Sequence, residues 1–116
     1  MKMVEYEFIE PEESDFLNTF GAERIAIPGS TASFVVNIEP DDRNKLELSY
    51  DVIARSARVR WIQDSAVLAD IFREQVNRIS VDSSGIISIS TRGDDLTGEL
   101  TVEVYPIQIR DVFLAR

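Results

Sequence analysis

"SAVLADIFREQVNRI", residues 65–79, sets the fold class expected from this sequence. Leu68, Ile71, Phe72, Val76 and Ile79 recur at three- and four-residue steps, the spacing of one apolar helix face. Asp64 or Ser65 can cap its start. Asp70, Arg73, Glu74, Asn77 and Arg78 occupy the other face, with Glu74 and Arg78 in the favourable i,i+4 order. The spacing predicts an amphipathic helix over 65–79 that lies on a sheet.

The sheet is read from what flanks this stretch. On the N-terminal side, "VEYEFIE" (4–10) alternates in the period-two manner of a half-buried strand. "PEESDFLNTFG" (11–21) reads as a short N-terminal helix, with Pro at a favoured first position, acids at its start and Gly21 as its stop. "ERIAI" (23–27) and "SFVVNIE" (33–39) read as strands. "PDDRNK" (40–45) has turn chemistry. "LELSYDVIA" (46–54) and "SARVRWI" (56–62) alternate again, the first with Leu46, Leu48, Tyr50 and Val52 on one face, the second with Ala57, Val59 and Trp61.

On the C-terminal side, "ISVDSSGIISIS" (79–90) reads as strand, turn and strand. "RGDDLTG" (92–98) reverses the chain, and "ELTVEVY" (99–105) directs Leu100, Val102 and Val104 inward. The tail "IQIRDVFLAR" (107–116) is too apolar to be a loose end and is expected to pack. The expectation is α+β: a mainly antiparallel sheet of about seven short strands, with the helix at 65–79 packed on it. With 116 residues, no low-complexity tract and no Pro/Gly/Ser linker, residues 1–116 are expected to be a single domain.

Composition narrows the chemistry. The chain has no Cys and no His, so thiolate ligands, disulfides and the usual imidazole general base are all missing from its repertoire. No strand, Gly-rich turn and helix succession and no GxxxxGK[ST] motif speaks for a nucleotide, so no cofactor is expected. Carboxylates could hold a hard cation such as calcium or magnesium, but "DDRN" (41–44) lacks the alternating ligands and glycine of an EF-hand loop, so no resident metal is expected either. The start lacks the apolar run of a signal peptide, and no stretch has the roughly 18 to 20 apolar residues of a membrane span. The expected location is the cytoplasm. The net charge of −9 is concentrated in residues 1–51, where twelve acids face four bases; residues 52–116 hold nine acids and eight bases. Such a field repels phosphate backbones and anionic lipid and favours a basic protein partner, so neither nucleic acid nor membrane is expected as a partner.

Two stretches resemble each other: "IEPEE" (9–13) and "IEPDD" (38–42). In both, a strand that meets Pro must stop pairing, and the acids beyond it tolerate solvent. If the strand at 23–27 lay antiparallel between the other two, both clusters would emerge at one edge. Glu10, Glu12, Glu13, Asp15, Glu39, Asp41 and Asp42 would then form a negative rim for partner Lys and Arg side chains. Arg58 and Arg60 are expected to face Asp51 or Glu47 across neighbouring strands. Trp61, the sole tryptophan, is expected in the core. Arg92-Gly93-Asp94 is read as a turn.

"VRWIQDS" (59–65) and the closing "TGELTVEVYPIQIRDVFLAR" (97–116), in a small, acidic, single-domain chain, resemble the immunity proteins of bacterial polymorphic-toxin systems such as contact-dependent inhibition. The resemblance implies a non-catalytic cytoplasmic protein that binds one cognate toxin domain, often a basic nuclease, and neutralises it by occlusion. Two other readings stand beside it: a structural or assembly subunit that pairs through an exposed sheet edge, and a carboxylate-based hydrolase, which needs a deep pocket with two acids.

Overall fold

The computed structural model describes residues 7–115, and the expected strand over 4–10 therefore falls partly outside the described residues. Among the described residues one helix, α1 (Glu13–Phe20), precedes nine strands: β1 (Arg24–Ala26), β2 (Ser33–Ile38), β3 (Asn44–Asp51), β4 (Ser56–Gln63), β5 (Ala66–Arg73), β6 (Val76–Val81), β7 (Ile86–Arg92), β8 (Leu96–Val104) and β9 (Ile107–Ala115). All neighbouring strands are antiparallel. They form two sheets in simple chain order, β1 to β5 and β6 to β9.

The helix expected over 65–79 does not exist, and with it the α+β expectation is corrected. Its sequence is β5, a reversal at Glu74 and Gln75, and the start of β6, which carries the chain from one sheet to the other. Two bulges explain the false periodicity. Trp61 opposes Ala69 and Ile62 opposes Val67, which leaves Leu68 as an extra residue on β5. Val76 opposes Thr91 and Arg78 opposes Ser90, so Asn77 is extra on β6. A bulge slips the period of two by one residue. Val76 and Ile79, three apart, therefore both point into the core, as neighbours on a helix face would.

The turns also lack the expected punctuation. Asp64 and Ser65, at φ 48° and 67°, make the tight β4–β5 hairpin without glycine, and Gln75, at φ 58°, reverses the chain between the sheets. These are left-handed conformations usually announced by Gly or Asn.

The inward faces of the two sheets share one apolar core. Val36, Ile38, Leu46, Leu48, Tyr50, Ala57 and Val59 come from the first sheet; Val76, Ile79, Ile87, Ile89, Leu100, Val102 and Val104 come from the second. Phe16 of α1 is fully buried among them. Two sheet faces packed on one core form a two-layer β-sandwich, the economical arrangement for a chain this rich in alternating strands. The N-terminal segment is fastened to the second sheet: Ile9 bridges Arg78 in parallel, donating to the Asn77 carbonyl and accepting from the Ile79 amide.

Candidate functional site

The residues of the expected acidic rim occupy three different settings. Glu10 accepts hydrogen bonds from the Tyr50 hydroxyl at 2.7 Å and from Arg24 at 3.2 Å. Phe8 stacks on Tyr50, and Arg24 lies over the Phe34 ring at 4.4 Å. Burial, then the bond to the Glu10 carboxylate, pushes the Tyr50 hydroxyl pKa up. This network ties the N-terminal segment to the first sheet. Glu12, Glu13 and Asp15 are exposed at the start of α1, where the Asp15 carboxylate accepts from the Glu12 amide at 2.9 Å. Negative charge there suits the helix dipole.

Glu39, Asp41 and Asp42 lie in the turn between β2 and β3. Asp41 accepts from the Asn44 side chain and from the Arg43 and Asn44 amides, and these bonds hold its pKa below the usual carboxylate range. Arg43 reaches across to Asp64 at 2.5 Å, so this concavity of about 510 Å³ is of mixed sign. The juxtaposition that would merge the clusters is not formed. β1 pairs with β2, whereas the segment at Ile9 joins β6 in the other sheet. Tyr50, which holds Glu10, opposes Phe34 at the start of β2, and Glu39 lies beyond the end of β2. Five residues of strand separate those positions by about 17 Å. Among the described residues, no group of three or more acids could hold a metal ion.

The outer face of the first sheet carries a charge ladder. Glu47, Arg60 and Asp70 are directly opposite one another on β3, β4 and β5, as expected for Glu47. Arg58 makes two bonds to Asp70, at 2.7 and 2.6 Å, and Arg60 lies 3.7 Å from both Glu47 and Asp70. The Arg58 guanidinium bond is the main reason that the Asp70 pKa lies below its ordinary range. Trp61 packs against the core and donates its indole N–H to Asn44 at 2.9 Å.

The strands β5 and β9 are the last of their sheets, and the end of β5 meets the middle of β9: Arg73 pairs with Asp111 and sits over the Phe113 ring at 5.2 Å. Val67, Leu68 and Phe72 of β5 and Val112, Phe113 and Leu114 of β9 are all about half exposed or more. The Phe113 ring lies across Gly98, where an added Cβ would come within 2.7 Å of it. The glycine thus leaves room for an aromatic side chain on the neighbouring strand.

The outer face of the second sheet is concave over β7, β8 and β9 and encloses a cleft of about 550 Å³. Strand register sets its layout in three rows: Arg92, Thr97 and Leu114; Ser90, Glu99 and Val112; Ser88, Thr101 and Arg110. Unlike the arginines of the first sheet, Arg92 and Arg110 form no side-chain hydrogen bond or ion pair among the described residues, and Glu99 between them forms none either. These residues were not singled out as a site in the sequence, where Arg92 drew notice only within its Arg-Gly-Asp turn. The signal was present as parity: they share the outward phase of strands whose inward phase is Ile, Leu and Val.

No family model matches this chain. No curated protein matches it either. Among solved structures, it is similar to a chain of the contact-dependent growth inhibition toxin–immunity protein complex from Klebsiella pneumoniae 342. The TM-score is 0.78 at 16% identity, over 95% of this chain and 100% of that one. The fold is therefore that of a component of such a complex, and the resemblance to contact-dependent inhibition systems read from the sequence extends to the structure.

Proposed function

We propose that this chain is an immunity protein, a non-catalytic protein of the bacterial cytoplasm that binds a cognate toxin domain and neutralises it by occlusion. The observation that carries this reading is the fold likeness to a chain of a toxin–immunity complex over nearly the whole of both. A net charge of −9 supports a basic, nuclease-type toxin domain as partner, because opposite net charges accelerate encounter. The exposed acids at Glu12, Glu13 and Asp15 and at Glu39, Asp41 and Asp42 contribute to that attraction; Glu10 is engaged with Arg24 and Tyr50.

The test begins with capture of a stoichiometric partner from cells that carry the gene, followed by expression of that partner domain alone and together with this chain. The domain alone should arrest growth, and co-expression should restore it. Growth arrest that this chain does not relieve contradicts the reading.

A second reading has its own observation. The free edge of β9 has no strand partner among the described residues, and Val112, Phe113 and Leu114 are exposed on it. Self-pairing there would make the chain an assembly subunit. Sedimentation at rising concentration distinguishes the two: a monomer at high micromolar concentration excludes self-assembly through this edge.

A further inference from the structure

We propose that the concave outer face of β7–β9, between Arg92 and Arg110, is the docking site for a carboxylate-bearing segment of the toxin partner. The inference rests on the immunity reading and names the chemistry of the contact.

Three observations carry it. The cleft, of about 550 Å³, is floored by Ser90, Thr97 and Thr101, whose hydroxyls can donate or accept. Val112 and Leu114 form an apolar wall along one side. Arg92 and Arg110 stand at opposite corners without a partner among the described residues, in a chain whose net charge is −9. In such a chain a guanidinium readily finds a carboxylate, as Arg24, Arg43, Arg58, Arg60 and Arg73 have done. Arg92 and Arg110, which have none among the described residues, face the same cleft; Arg78, which has none there either, lies apart from it beside Ile9, Glu10 and Asp15.

The register also sets a spacing. Four residues along the strand and two strands across put the Arg92 and Arg110 Cα atoms about 16 Å apart. That spans a protein segment of one strand or a few helical turns. Glu99 in the middle row disfavours a uniformly anionic ligand and favours one with acids toward its two ends. A nucleic-acid backbone, with evenly repeated phosphates, fits such a cleft poorly. The contact does not conflict with a partner of net positive charge. Long-range attraction sums over the whole molecule, whereas a contact is decided within a screening length of about 8 Å, and bidentate guanidinium–carboxylate pairs add orientation.

The test uses the full chain, isotopically labelled, and three probes of similar length: a peptide with Glu near each end, the same peptide with Lys in place of Glu, and a single-stranded oligonucleotide. The acidic peptide should shift amide resonances in 88–92, 97–101 and 108–114, and the double variant R92E/R110E should weaken that binding at least tenfold. Unchanged melting of the variant establishes that it folds. Absence of shifts at these positions with millimolar acidic peptide, or a response there to the oligonucleotide or Lys peptide instead, overturns the proposal.

The growth assay separates the two inferences. Rescue by the natural chain that is lost in R92E/R110E and retained in R92K/R110K supports the cleft; equal rescue by R92E/R110E overturns it. Failure of the natural chain to rescue contradicts the immunity reading and leaves the peptide result to judge the cleft.

Discussion

On the outer face of β3–β5, Arg58 and Arg60 lie between Glu47 and Asp70, and each charge has an opposite within reach. On the outer face of β7–β9, Arg92 and Arg110 flank a cleft of about 550 Å³ with no such partner among the described residues. Both faces are polar and both belong to strands of the same alternating pattern. The first has Arg58, Arg60, Glu47 and Asp70 engaged with one another, although the buried Arg60 Nε makes no hydrogen bond, so a partner would have to compete with those pairs to bind there. The second can accept charged groups without that cost. Two sheets on a common core can thus divide the work, one with its charges paired and one open to a ligand.

The comparison breaks if the two sheets are independent units. Leu48 and Ile89 are each about 2% exposed or less, one in each sheet, within one core cluster. L48A and I89A should each cost about 2–5 kcal/mol. Chemical denaturation should remain a single transition that moves as a whole; two transitions, each sensitive to one variant, would contradict a shared core.

Next in size is the close approach that shapes the open sheet. A Cβ at Gly98 would lie 2.7 Å from both Phe113 and Thr91, so G98V should cost about 1–3 kcal/mol through overpacking. The comparison sharpens if the same variant alters β9 resonances and leaves those of β3 and β4 in place. On the first sheet, Y50F removes the hydroxyl bond to Glu10 while keeping the ring stack, and should cost about 1 kcal/mol in thermal or chemical denaturation.

Acid titration probes the charge ladder directly. Asp70 has a folded pKa below its unfolded value, mainly through Arg58. The corresponding stabilisation is present above about pH 4 and is lost as the pH falls through the folded pKa. Carboxyl NMR should place the Asp70 midpoint below the ordinary range, and R58Q should move it upward. The smallest expected effect is on the other face. R92Q and R110Q break no pair among the described residues, so each should change stability by less than about 0.5 kcal/mol.

Several of the strands, though not the two-sheet arrangement, were legible because alternation is a strong signal where one strand face is buried. The stretches read at 33–39, 46–54, 56–62 and 99–105 contain or overlap β2, β3, β4 and β8, and the residues assigned inward, Leu46, Leu48, Val59, Leu100, Val102 and Val104, are buried. The helix α1 lies within the Pro11–Gly21 stretch, whose caps are local features. What failed was non-local. Leu68 and Asn77 are bulge residues whose status depends on β4 and β7, and the turn at Gln75 uses a residue type that does not advertise a left-handed backbone. The sequence showed two acidic turns but not their neighbours, since whether the segment at Ile9 joins the first or the second sheet is a tertiary choice. The arginine cleft was hidden for the same reason: Arg92 and Arg110 are eighteen residues apart and meet only through the register of β7, β8 and β9.

The most direct measurement is hydrogen–deuterium exchange of this chain, free and bound to the toxin domain that it neutralises. The account predicts slowed exchange concentrated in 88–92, 97–101 and 108–114, with β3 and β4 unchanged. Protection confined to β3, β4 and the turn at 39–43, with β7–β9 exchanging as in the free chain, would contradict it.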